Sequence, residues 1–356
     1  MAKIQNSHLK VLFASIIALS ITTVTAQEHI TPADSVVKKK NFVKKTVDFV
    51  DFVLNDMDTA YVRKNLYNLT VMPEYSFNYE HYRLGTMGDA GQSIGILPGH
   101  RSVMNLNIGW RWIIIGYGID LQKNRPLKEF STSLYSTRFS LDILYRKGSE
   151  GYRINDMTGF ANSDKILPEN ISDEDIFTVK QLGVGLHYAF NRRFSYGAAY
   201  GQSSKQLMSA GSLVLGAGYN RQEFTFDHEK VETLTGTALN KELKFNEALY
   251  NDFTISFGYA YNWVFAKDFL AGVSFEPAVG YKQIQLQYSD GSHKEGGINM
   301  DFITRAALVY NNDRYYAGAS LESHTFCYHK KPLYITNGHG QLEVYIGIYF
   351  WRKKNM

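Results

Sequence analysis

The chain closes on Leu342-Glu343-Val344-Tyr345-Ile346-Gly347-Ile348-Tyr349-Phe350, and this stretch constrains the fold more than any other. Side chains alternate across an extended strand, so Leu342, Val344, Ile346, Ile348 and Phe350 share one face. Glu343, Tyr345, Gly347 and Tyr349 take the other. A C-terminal strand with one wholly apolar face and a final aromatic residue reads as the closing strand of an outer-membrane β-barrel. In such a barrel the apolar faces point at lipid and not into a core.

The start of the chain agrees. Lys3 and Lys10 flank the approach to an apolar run at 11–21, and Val24-Thr25-Ala26 offers small residues for cleavage before Gln27. Residues 1–26 therefore read as a secretory signal peptide, too short to span a bilayer as a helix. No cysteine stands at the new terminus, which excludes a lipoprotein anchor there. The formal net charge of +4 includes the two lysines of that segment and none of the acids. The remainder is close to neutral, which argues against nucleic acid as a partner.

No stretch after residue 26 is apolar for long enough to cross as a helix. Aromatics make up 14% of the chain, with 25 Tyr and 22 Phe, while mean hydropathy is negative at -0.27. Tyr-rich alternating strands separated by polar turns fit a barrel with aromatic girdles. The single cysteine, Cys327, excludes an intramolecular disulfide and a cysteine-based zinc cluster.

Residues 27–65 read as a periplasmic segment. Val43, Val47, Val50 and Leu54 recur at helical spacing behind Lys38, Lys39, Lys40, Lys44 and Lys45, which predicts an amphipathic helix over about 35–55. It either lies on the inner leaflet, caps the barrel mouth or packs on the barrel base. From residue 66 to 352 the period is two. Near 253–264, for example, Phe253, Ile255, Phe257, Tyr259, Tyr261 and Trp263 oppose Asp252, Thr254, Ser256, Gly258 and Asn262. Strands are also expected near 68–80, 102–109, 112–121, 135–146, 178–190, 194–203, 212–224, 269–288, 298–310, 314–327 and 340–351. Turns at 191–193, 266–268 and 311–313 look periplasmic. Longer polar stretches at 84–100, 122–131, 158–177, 228–250 and 329–338 look external. The expectation is an all-β transmembrane antiparallel barrel of about twelve strands, although placing 191–193 and 266–268 on one side leaves a hairpin miscounted between 148 and 250.

Several stretches resemble an outer-membrane β-barrel family of the Bacteroidetes defined only by a domain of unknown function. They are Asp58-Thr59-Ala60-Tyr61-Val62, Tyr67-Asn68-Leu69-Thr70-Val71-Met72, Gly109-Trp110-Arg111-Trp112 with Gly116-Tyr117, Arg193-Phe194-Ser195-Tyr196, Ser209-Ala210-Gly211-Ser212 and Gly258–Leu270. The resemblance spans about 58–350. It implies an outer-membrane location and supplies no catalytic residues.

Motifs for chemistry are weak. The pairs Gly116/Gly118, Gly183/Gly185 and Gly216/Gly218 sit inside alternating strands, without the helix a phosphate loop needs, and read as lumen-facing relief of crowding. Ser320 and His324 share a strand face but stand roughly 13 Å apart at strand rise, too far for a nucleophile and its base. His293, His324, His329 and His339 lack metal-site spacing and read as surface histidines. No cofactor is expected.

The charges on the polar faces carry the function. Glu74, Asp120, Arg138, Asp142, Glu276, Lys282, Asp301, Arg305 and Glu322 are expected to line the lumen, with Glu80 beside them. Such charges must be wet or paired, and pairing within one strand fails at a spacing of four. Hydrated, unpaired charges would make a passive channel for small hydrophilic solutes. Full pairing would make a non-conducting structural or interaction barrel that uses its external loops on unidentified protein partners. A lipid hydrolase is the third reading, and outer-membrane lipid is the surrounding partner in all three.

Overall fold

Alternation of period two dictates the architecture of the computed structural model, which describes residues 56–98, 101–110, 113–121, 128–148, 152–160, 176–330 and 332–353. The expected signal peptide and the helix at 35–55 lie outside the described residues. In chain order the strands are β1 (Val62–Lys64), β2 (Tyr67–Thr86), β3 (Ser93–Pro98), β4 (Arg101–Trp110), β5 (Ile113–Asp120), β6 (Lys128–Tyr135), β7 (Phe139–Gly148) and β8 (Tyr152–Thr158). There follow β9 (Phe177–Ala189), β10 (Ser204–Gln206), β11 (Ala210–Phe226), β12 (Phe245–Ala266), β13 (Phe269–Tyr288), β14 (Gly291–Asn311), β15 (Tyr315–Lys330) and β16 (Leu333–Arg352).

Twelve of these, all but β1, β3, β8 and β10, form an antiparallel barrel in the order in which the chain makes them. The last strand pairs back onto the first, from Leu333↔Thr86 to Arg352↔Tyr67, which nearly closes the ring. One seam is loose. Among the described residues β5 and β6 share the single register pair Ile113↔Leu134, whereas β4–β5 and β6–β7 are each laddered along eight residues. β3 and β8 widen the sheet beside β2, and β1 and β10 pair separately. No helix among the described residues is long and apolar enough to cross a membrane.

Both termini of the described barrel and the turns at Lys267-Asp268 and Asn312–Arg314 lie at one end, here the turn end. Close packing there depends on glycine: a Cβ at Gly347 would sit 2.1 Å from the ring of Tyr316, its partner on β15. The aromatic ring covers the glycine backbone, a device that pins strand register.

Around the middle of the barrel the outward residues are large and apolar. Phe253, Ile255, Phe257, Val273, Phe275, Ile298 and Met300 are all exposed, Ile298 by 78%. The inward residues of the same strands, including Asp252, Glu276, Asp301 and Arg305, are buried. A water-soluble sheet would reverse this arrangement, and a lipid-facing one requires it.

Toward the other end, the loop end, the pattern inverts. On β11 the outward series runs Leu213, Leu215, Ala217, Tyr219 and then Arg221, Glu223, Thr225. The inward series runs Gly216, Gly218, Asn220 and then Phe224, Phe226. Tyr82, Leu84, Phe177, Phe224, Phe226, Phe245 and Tyr250 meet in one buried apolar cluster that includes Val231, Leu239 and Leu243 from the β11–β12 connection. Strands of 17 and 22 residues, β11 and β12, exceed the ~9–11 that a tilted crossing uses, so their upper parts fold around an ordinary core. The helix α1 (His228–Thr235) sits over it, its Asp227 cap accepting the Lys230 N–H at 2.9 Å. Glu232 accepts the Leu239 N–H at 2.6 Å and pairs with Lys244 at 2.7 Å, and the lysine partner holds its carboxyl below the ordinary range.

Four expectations are corrected. Residues 194–203 do not form a strand. They leave the wall, and β9 pairs directly with β11. The missing strand is β6, at 128–135 and partly within the stretch expected as a loop at 122–131. Residues 136–138 form a turn, so 135–146 is not one strand. The hairpin miscount between 148 and 250 disappears with the first correction. At 329–338 there is no long loop: β15 runs to Lys330 and β16 starts at Leu333, and these two residues pair directly.

Candidate functional site in the barrel interior

The interior is filled from the turn end by the β9–β11 connection. Phe194, Tyr196, Ala198 and Ala199 are buried, and Gly197–Gly201 forms a single π-helical turn, a form often found at functional sites. Gln202 follows in the left-handed region, φ 51°, and reverses the chain into β10. Its carbonyl accepts the Tyr349 hydroxyl at 2.7 Å, its Nε2 donates to Tyr345 Oη at 3.1 Å, and its Oε1 accepts from Asn311 at 3.4 Å. Those partners lie on β16 and β14. Outside the plug, Lys205 pairs with Asp268 at 2.6 Å and with Asp313 at 3.3 Å, and Arg63 also pairs with Asp313.

Above the plug, Arg305 on β14 gathers residues from four other strands. Its Nη1 donates to Glu276 at 3.1 Å, and its Nη2 lies 3.2 Å from Glu322, 3.3 Å from Asp142 and 3.2 Å from His187 Nε2. His187 Nδ1 is 2.7 Å from the other Glu276 oxygen, so Nδ1–H donates there and Nε2 accepts from the arginine. Tyr196 of the plug also donates to Glu276, at 3.3 Å. Arg305 is 2% exposed and Glu276 is fully buried. The plug and the wall thus share one hydrogen-bond network.

A second group joins Lys282 to Asp301 at 2.8 Å and Asp252 at 3.4 Å, and a third joins Arg146 to Glu80 with Tyr152 and Tyr82 alongside. Glu74 accepts from Asn105 and Asn107, each at 2.8 Å, and Glu343 accepts from Ser320 at 2.7 Å. Among these described side chains eight carboxylates face three cations. A charge left in an apolar interior is costly, so the excess belongs where water or a ligand reaches it.

Two adjoining cavities supply that space. One, of about 430 Å³, is bounded by Glu74, Asn105, Asn107, Tyr200, Glu322, Glu343 and Tyr345. The other, of about 150 Å³, is bounded by Asp142, Gln181, His187, Asn220, His324 and His339. Both touch Arg305. Gly183, Gly185 and Gly218 border the smaller one, where larger side chains would fill it.

Of the charges expected in the lumen, Glu74, Asp142, Glu276, Lys282, Asp301, Arg305 and Glu322 sit in this middle section. Arg138 does not. It belongs to the 136–138 turn, where it donates to the carbonyls of Ala189 and Phe190 and pairs with Asp56 at 3.1 Å. The Asp120 side chain lies outside the described residues. His324 and His339, expected at the surface, point inward and stack with Phe326, the first at 3.9 Å between ring centroids. Ser320 bonds Glu343 and not His324. Sequence reasoning missed Glu343, Asp252, Arg146 and His187, though each has the inward parity of its strand. It also missed the plug, whose Phe-Ser-Tyr-Gly-Ala-Ala-Tyr sequence mimics a strand.

Comparison with known proteins gives a family and no activity. A family described as a domain of unknown function, DUF4421, matches residues 56–350. No curated protein matches. Among solved structures, the outer membrane protease OmpT of Escherichia coli aligns at 8% identity and TM-score 0.37, over 82% of this chain and 100% of that one. The translocator domain of the autotransporter NalP of Neisseria meningitidis aligns at 9% and 0.31, over 89% and 98%. The toluene transporter TodX of Pseudomonas putida aligns at 8% and 0.19, over 80% and 91%.

Proposed function

We propose for this chain, which belongs to the DUF4421 family, a bacterial outer-membrane barrel that is closed along its axis and encloses a polar binding cavity. The outward apolar belt supports the membrane location, and residues 1–26 would serve as its signal peptide, cleaved after Ala26. The turn end then faces the periplasm, together with residues 27–65, and the loop end faces outward, its loops available to protein partners.

One observation carries the closed reading: the lumen is packed at both ends, by the Gln202 plug and by the Phe224–Phe245 cluster, with the three described cations Arg305, Lys282 and Arg146 engaged between them. Passive passage of small hydrophilic solutes is the competing reading, favoured by the carboxylate-rich cavity. Single-channel recording of the refolded mature chain in a planar bilayer separates the two. Folded barrels are expected to be silent. Steady, cation-selective current would overturn the closed reading and establish a channel.

A further inference from the structure

The loose seam between β5 and β6 lies in the lipid-facing wall. Beyond Ile113↔Leu134 the strands share no further register pair among the described residues, and a side-chain bond crosses from Thr132 Oγ1 to the Ile114 carbonyl at 3.4 Å. Unladdered strand edges are costly in hydrocarbon and mark a place where something else is accommodated. The 430 Å³ cavity lies directly behind. Its wall takes Ile114, Gly116, Tyr117 and Gly118 from one side of the seam and Thr132 and Ser133 from the other. Tyr117 is 76% exposed on the outside of the barrel. At Gly116 a Cβ would lie 2.0 Å from Asn107 Oδ1, so the glycine keeps this mouth free of side chains.

The chemistry behind the mouth is one-signed. Arg305 is the only cation on the described cavity wall and is already engaged by Glu276, Asp142 and Glu322. Glu74 and Glu343, on the adjacent strands β2 and β16, meet asparagine and serine donors but no cation among the described residues. An anionic head group would be repelled there, and a cationic one would be attracted and supplied with acceptors.

We infer that the seam is a side entrance for a single-chain, amine-bearing amphiphile, whose ammonium group sits between Glu74 and Glu343 and whose apolar chain remains in the bilayer. This rests on the closed-axis reading, because a ligand barred from the axis must arrive through the wall. Dodecylamine is the probe and dodecanoate its anionic counterpart, titrated calorimetrically at neutral pH into the mature chain folded in dodecylphosphocholine micelles. Saturable binding of one dodecylamine per barrel, with none of dodecanoate, is expected. The double variant E74Q/E343Q should weaken it at least tenfold while the barrel keeps its heat-modifiable gel mobility. In a C327S background, the pair Ile114→Cys and Ser133→Cys, next to the Ile113↔Leu134 pair, would close the seam on oxidation and abolish binding, and reduction would restore it. Equal uptake of both probes, or binding unchanged in E74Q/E343Q, overturns the inference. Either result leaves the closed axis standing, since conductance tests that separately.

Discussion

Arg305 shows how far a single residue can be read from sequence. Its parity on β14 tells which way the side chain points, and spacing rules out pairing with Asp301 on the same strand. Neither tells that Asp142 reaches it from β7 while Glu276 and Glu322 come from its flanking strands, because those contacts exist only once the barrel curves closed. Arg138 departs from its expected place for a related reason: alternation runs unbroken through Tyr135-Ser136-Thr137-Arg138-Phe139, yet the chain turns there. Removing one partner from a buried ionic cluster leaves uncompensated charge, at a typical cost of ~3–5 kcal/mol. R305L should therefore lower the urea unfolding free energy in lipid vesicles by about that much, and R305K by clearly less. A loss of under ~1 kcal/mol for R305L would mean that the three carboxylates are well hydrated without it.

At the scale of elements, the plug is what the sequence concealed. Phe194, Tyr196 and Ala198 alternate with Ser195 and Gly197 as a barrel strand would, but Ala199 is buried as completely as Phe194. A wall strand must show one face to lipid, and this segment shows neither. β6 was concealed for the opposite reason. Its Ser131-Thr132-Ser133 center has no large apolar residue, and it lies along the open seam. Ser274, on the lumen face of β13 and paired with Arg305, is 3% exposed behind the plug as seen from the turn end. In a C327S background, S274C should resist a charged, water-soluble maleimide in the folded barrel. Replacing 197–202 with a glycine-serine segment of equal length should make it react. Equal labelling with the plug intact would mean that solvent already passes the turn end.

For the molecule as a whole, the strands are built for two solvents in succession, and the sequence did carry that information. The crossover on β11 lies between Tyr219 and Arg221 on the outward face and between Gln222 and Phe224 on the inward face. Reading every strand as having one polar and one apolar face from end to end obscured it, because averaged alternation cancels where the two halves have opposite sense. The crossover predicts where charge is tolerated. F257R, in the middle of the outward belt, should destabilise by ~2–4 kcal/mol in lipid. T225R, outward on the upper part of β11, should stay within about 0.5 kcal/mol of the parent. Equal penalties would mean that both positions face the same medium. The plug has its own consequence for how such a molecule is put together. Gln202 finds Tyr345 and Tyr349 only on β16, the strand that also seals the ring against β2. The final strand is therefore both stave and latch: the vessel cannot be shut before its stopper is aboard, and a chain halted short of β16 would leave it with neither.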